Sequence, residues 1–190
     1  FVRGCFYFEL VKTWGKVPLV DHVLSPSEYQ QPLAEEQELW DFIENDFKAA
    51  AEVLPTRNAQ SPEDIGRATK GSALAFLAKA YIYQQKWAEA KDITDQIINS
   101  NQYALLENYA DVFKLENENN EEIVFSIQFK ETGNGSYGND NEGTMVCVYM
   151  TTRSHPFAGI GGWGFNCPTQ NFADEFEAGD VRKDATIIFD

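Results

Sequence analysis

Two consecutive helices are written into residues 67–99, and only Gln84-Gln85-Lys86 separates them. In 67–85, Leu74, Leu77, Ala78, Tyr81 and Ile82 recur at helical spacing; in 87–99, Ala90, Ile93, Ile97 and Ile98 do the same. So short a join leaves the second helix no course except back along the first, so the pair is antiparallel. Ala78 and Ala90 are small where the two backbones come close. The chain is thereby committed to helix-on-helix packing.

The pattern extends upstream. Residues 1–14 carry Val2, Cys5, Phe6, Leu10 and Trp14 near helical spacing, and Gly15 and Pro18 stop that helix. Residues 21–33, with Pro26 and Pro32, form a linker loop. A further helix is predicted from about Ala34 to Leu54, with Leu39, Ile43, Phe47, Ala50 and Leu54 on one stripe. Glu35, Glu36, Glu38, Asp41 and Glu44 crowd its first half, where the helix dipole favours anions, and Pro55 ends it.

The second half changes character. Glu121–Lys130 alternates apolar and polar residues, which predicts a strand with Ile123, Phe125, Ile127 and Phe129 on one face. Residues 131–144 are rich in Gly and Asn and read as loop, 145–150 as a short strand, and 169–177 as a short helix with Phe172 and Phe176 on one side. The expected organisation is a helical region over 1–120 and a loop-rich ligand-binding region of the same domain over 121–190. The fold class is mainly α, an α-α superhelix with a loop-rich region containing short strands.

A 190-residue chain with 43% hydrophobic residues has enough apolar surface for a core and is too apolar to be disordered. Its net charge of -15 disfavours a nucleic-acid backbone as partner. No apolar run reaches the length of a membrane span. The opening and closing residues read as the inside of a helix and the start of a further element, so both termini are expected to be incomplete. Cys5, Cys147 and Cys167 form no CxxC pair, which argues against zinc, and pairing of Cys147 with Cys167 is left open.

Several strings invite a catalytic reading and fail on context. Gly159–Gly164 matches the dinucleotide fingerprint, but no apolar strand precedes it and no helix follows, so no cofactor is expected. His22 and His155 have neither metal-pair spacing nor an evident carboxylate companion, and 116–122 and 139–142 lack calcium-loop spacing. Asn134-Gly135-Ser136 is a sequon that would be silent in a bacterium. Carboxylates are plentiful enough for a hydrolase pair, and nothing in the sequence singles out two of them. No metal and no catalytic residue is assigned. More informative are Tyr137, Tyr149, Phe157, Trp163 and Phe165, set among Gly, Asn and Thr. A ring exposed in such a loop can stack on the apolar face of a sugar while Asn, Asp or Arg bonds the hydroxyl rim; rings filling a small satellite core would look the same in sequence.

The helical pair resembles a tetratricopeptide repeat, with Leu74, Leu77, Ala78, Tyr81, Trp87 and Ala90 at the expected offsets. Thr94 and Ile97 stand where a bulky aromatic and a small residue are usual, and a generic helical hairpin also satisfies the spacing. The repeat implies that Tyr81 and Trp87 are buried. A wider resemblance is to the SusD/RagB family. It rests on Arg3-Gly4-Cys5-Phe6-Tyr7-Phe8-Glu9-Leu10-Val11 followed by Trp14-Gly15-Lys16-Val17-Pro18-Leu19-Val20; on Asn45–Ala50 closing with Leu54-Pro55; and on Gly66-Arg67-Ala68-Thr69-Lys70-Gly71-Ser72-Ala73. It continues through Trp87-Ala88-Glu89-Ala90, Glu121-Glu122-Ile123-Val124-Phe125, Pro168-Thr169, Phe176-Glu177 and Gly179-Asp180-Val181-Arg182, where a proline is commoner at Val181. Each string is weak alone; their order over nearly the whole chain is specific.

That resemblance implies a surface-exposed outer-membrane lipoprotein of Bacteroidetes, attached through an N-terminal lipid absent from this chain. It implies an oligosaccharide or polysaccharide ligand handed to a SusC-like TonB-dependent transporter, and no enzymatic activity. Within the loop-rich half the expected ligand contacts are Trp163, Tyr149, Arg153 and Asn166. Two rivals are a tetratricopeptide scaffold for protein partners, which predicts more repeats, and a glycoside hydrolase, which predicts turnover.

Overall fold

The computed structural model describes residues 1–129, 146–150, 153 and 162–187. They divide into two compact units, residues 1–105 with 119–126, and residues 106–118 with 127–190.

The first unit is built on four helices: α1 Val2–Trp14, α2 Glu36–Val53, α3 Lys70–Tyr83 and α4 Trp87–Asn99. Each packs on the next. α2 starts with Glu36 and Glu38 in its first turn, on the positive end of the helix. α3 starts at a reciprocal cap: the Thr69 hydroxyl accepts from the Ser72 amide at 3.2 Å, and the Ser72 hydroxyl accepts from the Thr69 amide at 3.0 Å. The α3–α4 turn places Gln85 at φ 59°, and the Lys86 amide donates back to the Tyr81 carbonyl at 2.9 Å. That reversal makes the helices the antiparallel pair that the short join required.

The core comprises Phe8, Leu39, Ile43, Phe47 and Leu77, with Tyr7, Val11, Trp40, Tyr81 and Ala90 around them. Gly4 lets α1 reach α2: a β-carbon there would meet the Phe47 ring at 3.0 Å. The Gly15–Val20 stretch is fastened by Tyr7, whose hydroxyl accepts from the Val20 amide at 2.6 Å and lies 3.0 Å from the Val20 carbonyl. Arg3 clamps Asp46 with two bonds of 2.8 and 2.6 Å, its guanidinium 4.5 Å from the centre of the Phe42 ring.

Several sequence expectations need correction here. The buried face of α1 runs through Gly4, Tyr7, Phe8 and Val11, while Val2, Phe6 and Trp14 are exposed. This helix is apolar on more than one side, so spacing alone offered two faces, and contact through Gly4 selects the other. Trp87 is 62% exposed at the first turn of α4, not buried in the hairpin. Ile82 and Ile98 also face solvent.

The 121–129 stretch is not a strand, and 146–150 is a short helix; among the described residues there is no strand. Residues 119–126 instead run as a strap over the helices. Arg57 donates to the Asn119 and Ile123 carbonyls at 2.6 and 2.9 Å, and the Ser72 hydroxyl donates to the Val124 carbonyl at 3.0 Å. Phe125 lies against Phe1 and Phe76, ring centres 5.2 and 6.0 Å apart. Side chains thus take up carbonyls that a neighbouring strand would have bonded.

The second unit contains α5 Val146–Met150, α6 Gln170–Asp174 and α7 Arg182–Thr186. Thr169 caps α6 by accepting from the Phe172 amide at 3.3 Å, and Ala173 is buried beneath it. Asp180 precedes α7; the Arg182 guanidinium and amide hold its carboxyl down to about 2. Among the described residues no helix is long and apolar enough to cross a membrane.

Candidate functional site

The site is built on the last turn of α5 and the glycine-containing segment that passes it. The Phe165 amide donates to the Tyr149 carbonyl at 2.7 Å, pinning the segment to the helix. Trp163 and Phe165 flank Gly164, and their ring centres lie 5.8 Å apart. Gly164 between them adopts φ +66°, a conformation in which a side chain would be strained.

Three rings gather there. Tyr149 and Trp163 have centres 5.1 Å apart at 50°, Trp163 and Phe165 5.8 Å apart and nearly edge-on, and Tyr149 and Phe165 6.3 Å apart. These separations lie within the range in which aromatic rings attract one another. Trp163 stays 38% exposed and Phe165 is exposed as well. Arg153 Nε donates to the Trp163 carbonyl at 2.9 Å, and its Cγ lies 3.4 Å from where a β-carbon on Gly164 would stand. The arginine thus braces the backbone under the tryptophan.

Of the four predicted residues, the structure brings Trp163, Tyr149 and Arg153 together. Asn166 is exposed, one residue beyond the ring cluster, with φ 54°. Phe165 was noted among the loop aromatics but left out of the predicted set. The signal that would have included it is its two-residue spacing from Trp163 across a glycine. Tyr137, Phe157, His155 and Gly159–Gly161 lie outside the described residues, as does the Cys147 side chain. Cys167 is exposed, with its sulfur 4.0 Å from the Met150 carbonyl. An arrangement of this kind offers an apolar platform with a fixed guanidinium below it; nothing in it resembles a nucleophile with its base.

A family profile described as "Starch-binding associating with outer membrane" matches residues 1–82. A SusD-like protein of Formosa agariphila is 31% identical over 146 residues, covering 76% of this chain and 27% of its own length. The chain belongs to the SusD/RagB family. A SusD-like protein of Bacteroides fragilis, solved by crystallography, is 32% identical with a TM-score of 0.77, over 92% of this chain and 33% of that one. A laminarin-binding SusD-like protein is 28% identical with a TM-score of 0.87, over 96% of this chain and 43% of that one. The expected fold class, mainly helical and like a tetratricopeptide array, is thus established for this SusD/RagB chain. It spans about a quarter of the curated relatives it matches, 26% and 27% of the first two.

Proposed function

We propose that this SusD/RagB protein binds glycans at the cell surface, does no chemistry on them, and delivers oligosaccharides to a partner TonB-dependent transporter of the outer membrane. The observation that carries the reading is the Tyr149–Trp163–Phe165 cluster, three mutually packed rings, one on α5 and two flanking Gly164, with the tryptophan 38% exposed. A sugar face is apolar and flat, and it gains from such rings what an amphipathic ring surface can give. Arg153, Asn166 and the Tyr149 hydroxyl supply polar groups for the hydroxyl rim. Support from relatives is of the same kind: the laminarin-binding neighbour shares the fold over 96% of this chain. The family profile's description, association with the outer membrane, supports the location.

Affinity at one sugar face is expected to be weak, since a millimolar constant corresponds to about -4 kcal/mol. Loss of a stacked ring removes about 2 kcal/mol of that. The test is calorimetry of the full-length protein and its Trp163→Ala variant against a panel of β-glucans, xyloglucan fragments and starch oligosaccharides. Binding of one panel member by the parent and its loss in the variant is the expected result. Equal affinity in both would make Trp163 structural. Turnover of any panel member would replace binding with hydrolysis as the function.

A further inference from the structure

In the first unit, Arg57 bonds backbone carbonyls and has no counter-ion among the described residues. It lies in the 57–59 turn after α2, with Nη1 donating to the Ile123 carbonyl at 2.9 Å and Nη2 to the Asn119 carbonyl at 2.6 Å. Its guanidinium carbon is 5.6 Å from the centre of the Tyr103 ring, and Tyr103 is in turn fixed by a 3.0 Å bond between its hydroxyl and Thr69. A guanidinium has five N–H groups, and these two bonds go to neutral carbonyls. Among the described residues no carboxylate pairs with it. The side chain is therefore held in place before any ligand arrives, with its charge unmatched.

Two hollows meet at this Arg57–Tyr103 pair. One, of about 180 Å³, is walled by Asn58, Gln60, Arg67 and Thr69 as well. The other, of about 400 Å³, adds Lys70. Neither is lined by an Asp or a Glu, although the chain carries 30 acidic residues against 15 Lys and Arg. Arg67 is paired with Asp64 at 3.0 Å, outside the lining; Arg57 carries the uncompensated charge. Such a place is positive in a strongly acidic protein, and its polar walls are hydroxyl and amide groups suited to a hydroxylated ligand.

We propose that the smaller hollow is a binding site for the carboxylate of a small hydroxylated acid, a uronic acid being the simplest example. Arg57 meets the carboxylate with its remaining N–H groups, as guanidinium does for planar oxyanions. Pockets for drug-sized ligands run from about 300 Å³ upward, so the occupant is small. The site lies in a different unit from the aromatic cluster and does not depend on the glycan reading.

The test is calorimetry of the full-length protein with sodium glucuronate at low salt, with glucose as the neutral control and sodium acetate as the acid lacking a sugar ring. The expected result is glucuronate binding that weakens as NaCl is added, with no competition from glucose. Acetate binding several-fold more weakly shows that the hydroxyls are read too; acetate binding as tightly as glucuronate overturns the hydroxylated-acid assignment. Asn58→Asp adds a negative charge to an exposed lining residue and should weaken glucuronate at least fivefold with an unchanged melting temperature. Trp163→Ala should leave it alone. Absence of glucuronate binding overturns the proposal, as does binding that ignores Asn58→Asp. Binding lost in Trp163→Ala instead would place the acid at the aromatic cluster.

Discussion

Glu44, buried on α2, accepts a hydrogen bond from Lys86 Nζ at 2.5 Å, tying that helix to the turn between α3 and α4. Its other oxygen takes Lys48 at 2.9 Å, Gln84 adds a bond of 3.0 Å, and both ammonium groups lie 5.7 Å from the centre of the buried Tyr81 ring. Burial pulls the Glu44 carboxyl upward, but the bonds from Lys86, Lys48 and Gln84 outweigh it and hold the group below the ordinary glutamate range. A carboxyl whose folded-state pKa is lowered binds its proton less readily folded than unfolded. Its stabilisation is therefore complete above the unfolded value and is lost as pH falls through the folded one.

Glu44→Gln keeps the shape and removes the charge. Removing one partner of a fully buried pair costs about 3–5 kcal/mol. Here the two lysines are partly exposed, and about 2 kcal/mol at pH 7 is expected. Urea unfolding across pH should show the parent and the variant converging as pH drops through the ordinary glutamate value and below it. A gap that persists unchanged into acid would mean the loss is packing and not charge.

Trp87 and Phe47 make opposite predictions from two large aromatic residues. Trp87 is 62% exposed, and its truncation to Ala should change unfolding free energy by less than about 1 kcal/mol. Phe47 is fully buried between Phe1 and Phe76, ring centres 6.0 and 5.5 Å away, with Gly4 drawn against it. Phe47→Ala opens a cavity that its neighbours fill only in part and should cost about 3–5 kcal/mol. Equilibrium denaturation of the two variants side by side decides; a Trp87→Ala loss as large as that of Phe47→Ala would reinstate a buried role for the tryptophan.

That contrast also shows what the sequence made legible. α2, α3 and α4 were readable to within three residues, because Leu39, Ile43, Phe47 and Leu74, Leu77, Tyr81 recur at a helical period and Pro55 and the Gln84–Lys86 join punctuate them. The face of α1 was not, since apolar residues surround that helix and the deciding contact is an absence, the missing β-carbon of Gly4. The 121–129 stretch alternates like a strand but finds no neighbouring strand; its carbonyls go to Arg57 and Ser72, 52 to 66 residues away in sequence. At the candidate site, ring-forming residues were visible from composition. The pairing of Tyr149 with Phe165 through the backbone was not, because it depends on how α5 and the 162–167 segment meet.

Gly71 is the point where α3 makes room for Tyr103. A β-carbon there would lie 2.1 Å from the phenol oxygen, so Gly71→Ala must expel the ring and with it the Tyr103–Thr69 bond. Alanine's better helix propensity, about 1 kcal/mol, works in the other direction. Overpacking of this kind costs about 1–3 kcal/mol, which leaves a net destabilisation of about 1 kcal/mol. A double-mutant cycle isolates the cause. In a Tyr103→Ala background, Gly71→Ala should become neutral or stabilising. A loss of the same size in both backgrounds would show that Tyr103 is not what the glycine accommodates.

Gly164 sets the spacing of the rings on either side of it. At φ +66°, a residue with a β-carbon is strained by about 1–2 kcal/mol, and that carbon would stand 3.4 Å from Arg153 Cγ, in van der Waals contact with the side chain that bonds the Trp163 carbonyl. Gly164→Ala should therefore relax the backbone away from the left-handed region, release Arg153 and separate Trp163 from Phe165. Because the segment is exposed, the change should barely move the melting temperature, but it should weaken glycan affinity several-fold if the three rings act as one platform. Asparagine tolerates this backbone region better than alanine, so Gly164→Asn should retain more affinity than Gly164→Ala. Calorimetry with the best-bound oligosaccharide ranks the parent first, the asparagine variant second and the alanine variant last. Equal affinity in all three would mean that the turn does not hold the binding surface, and that the rings stack on each other without serving a ligand.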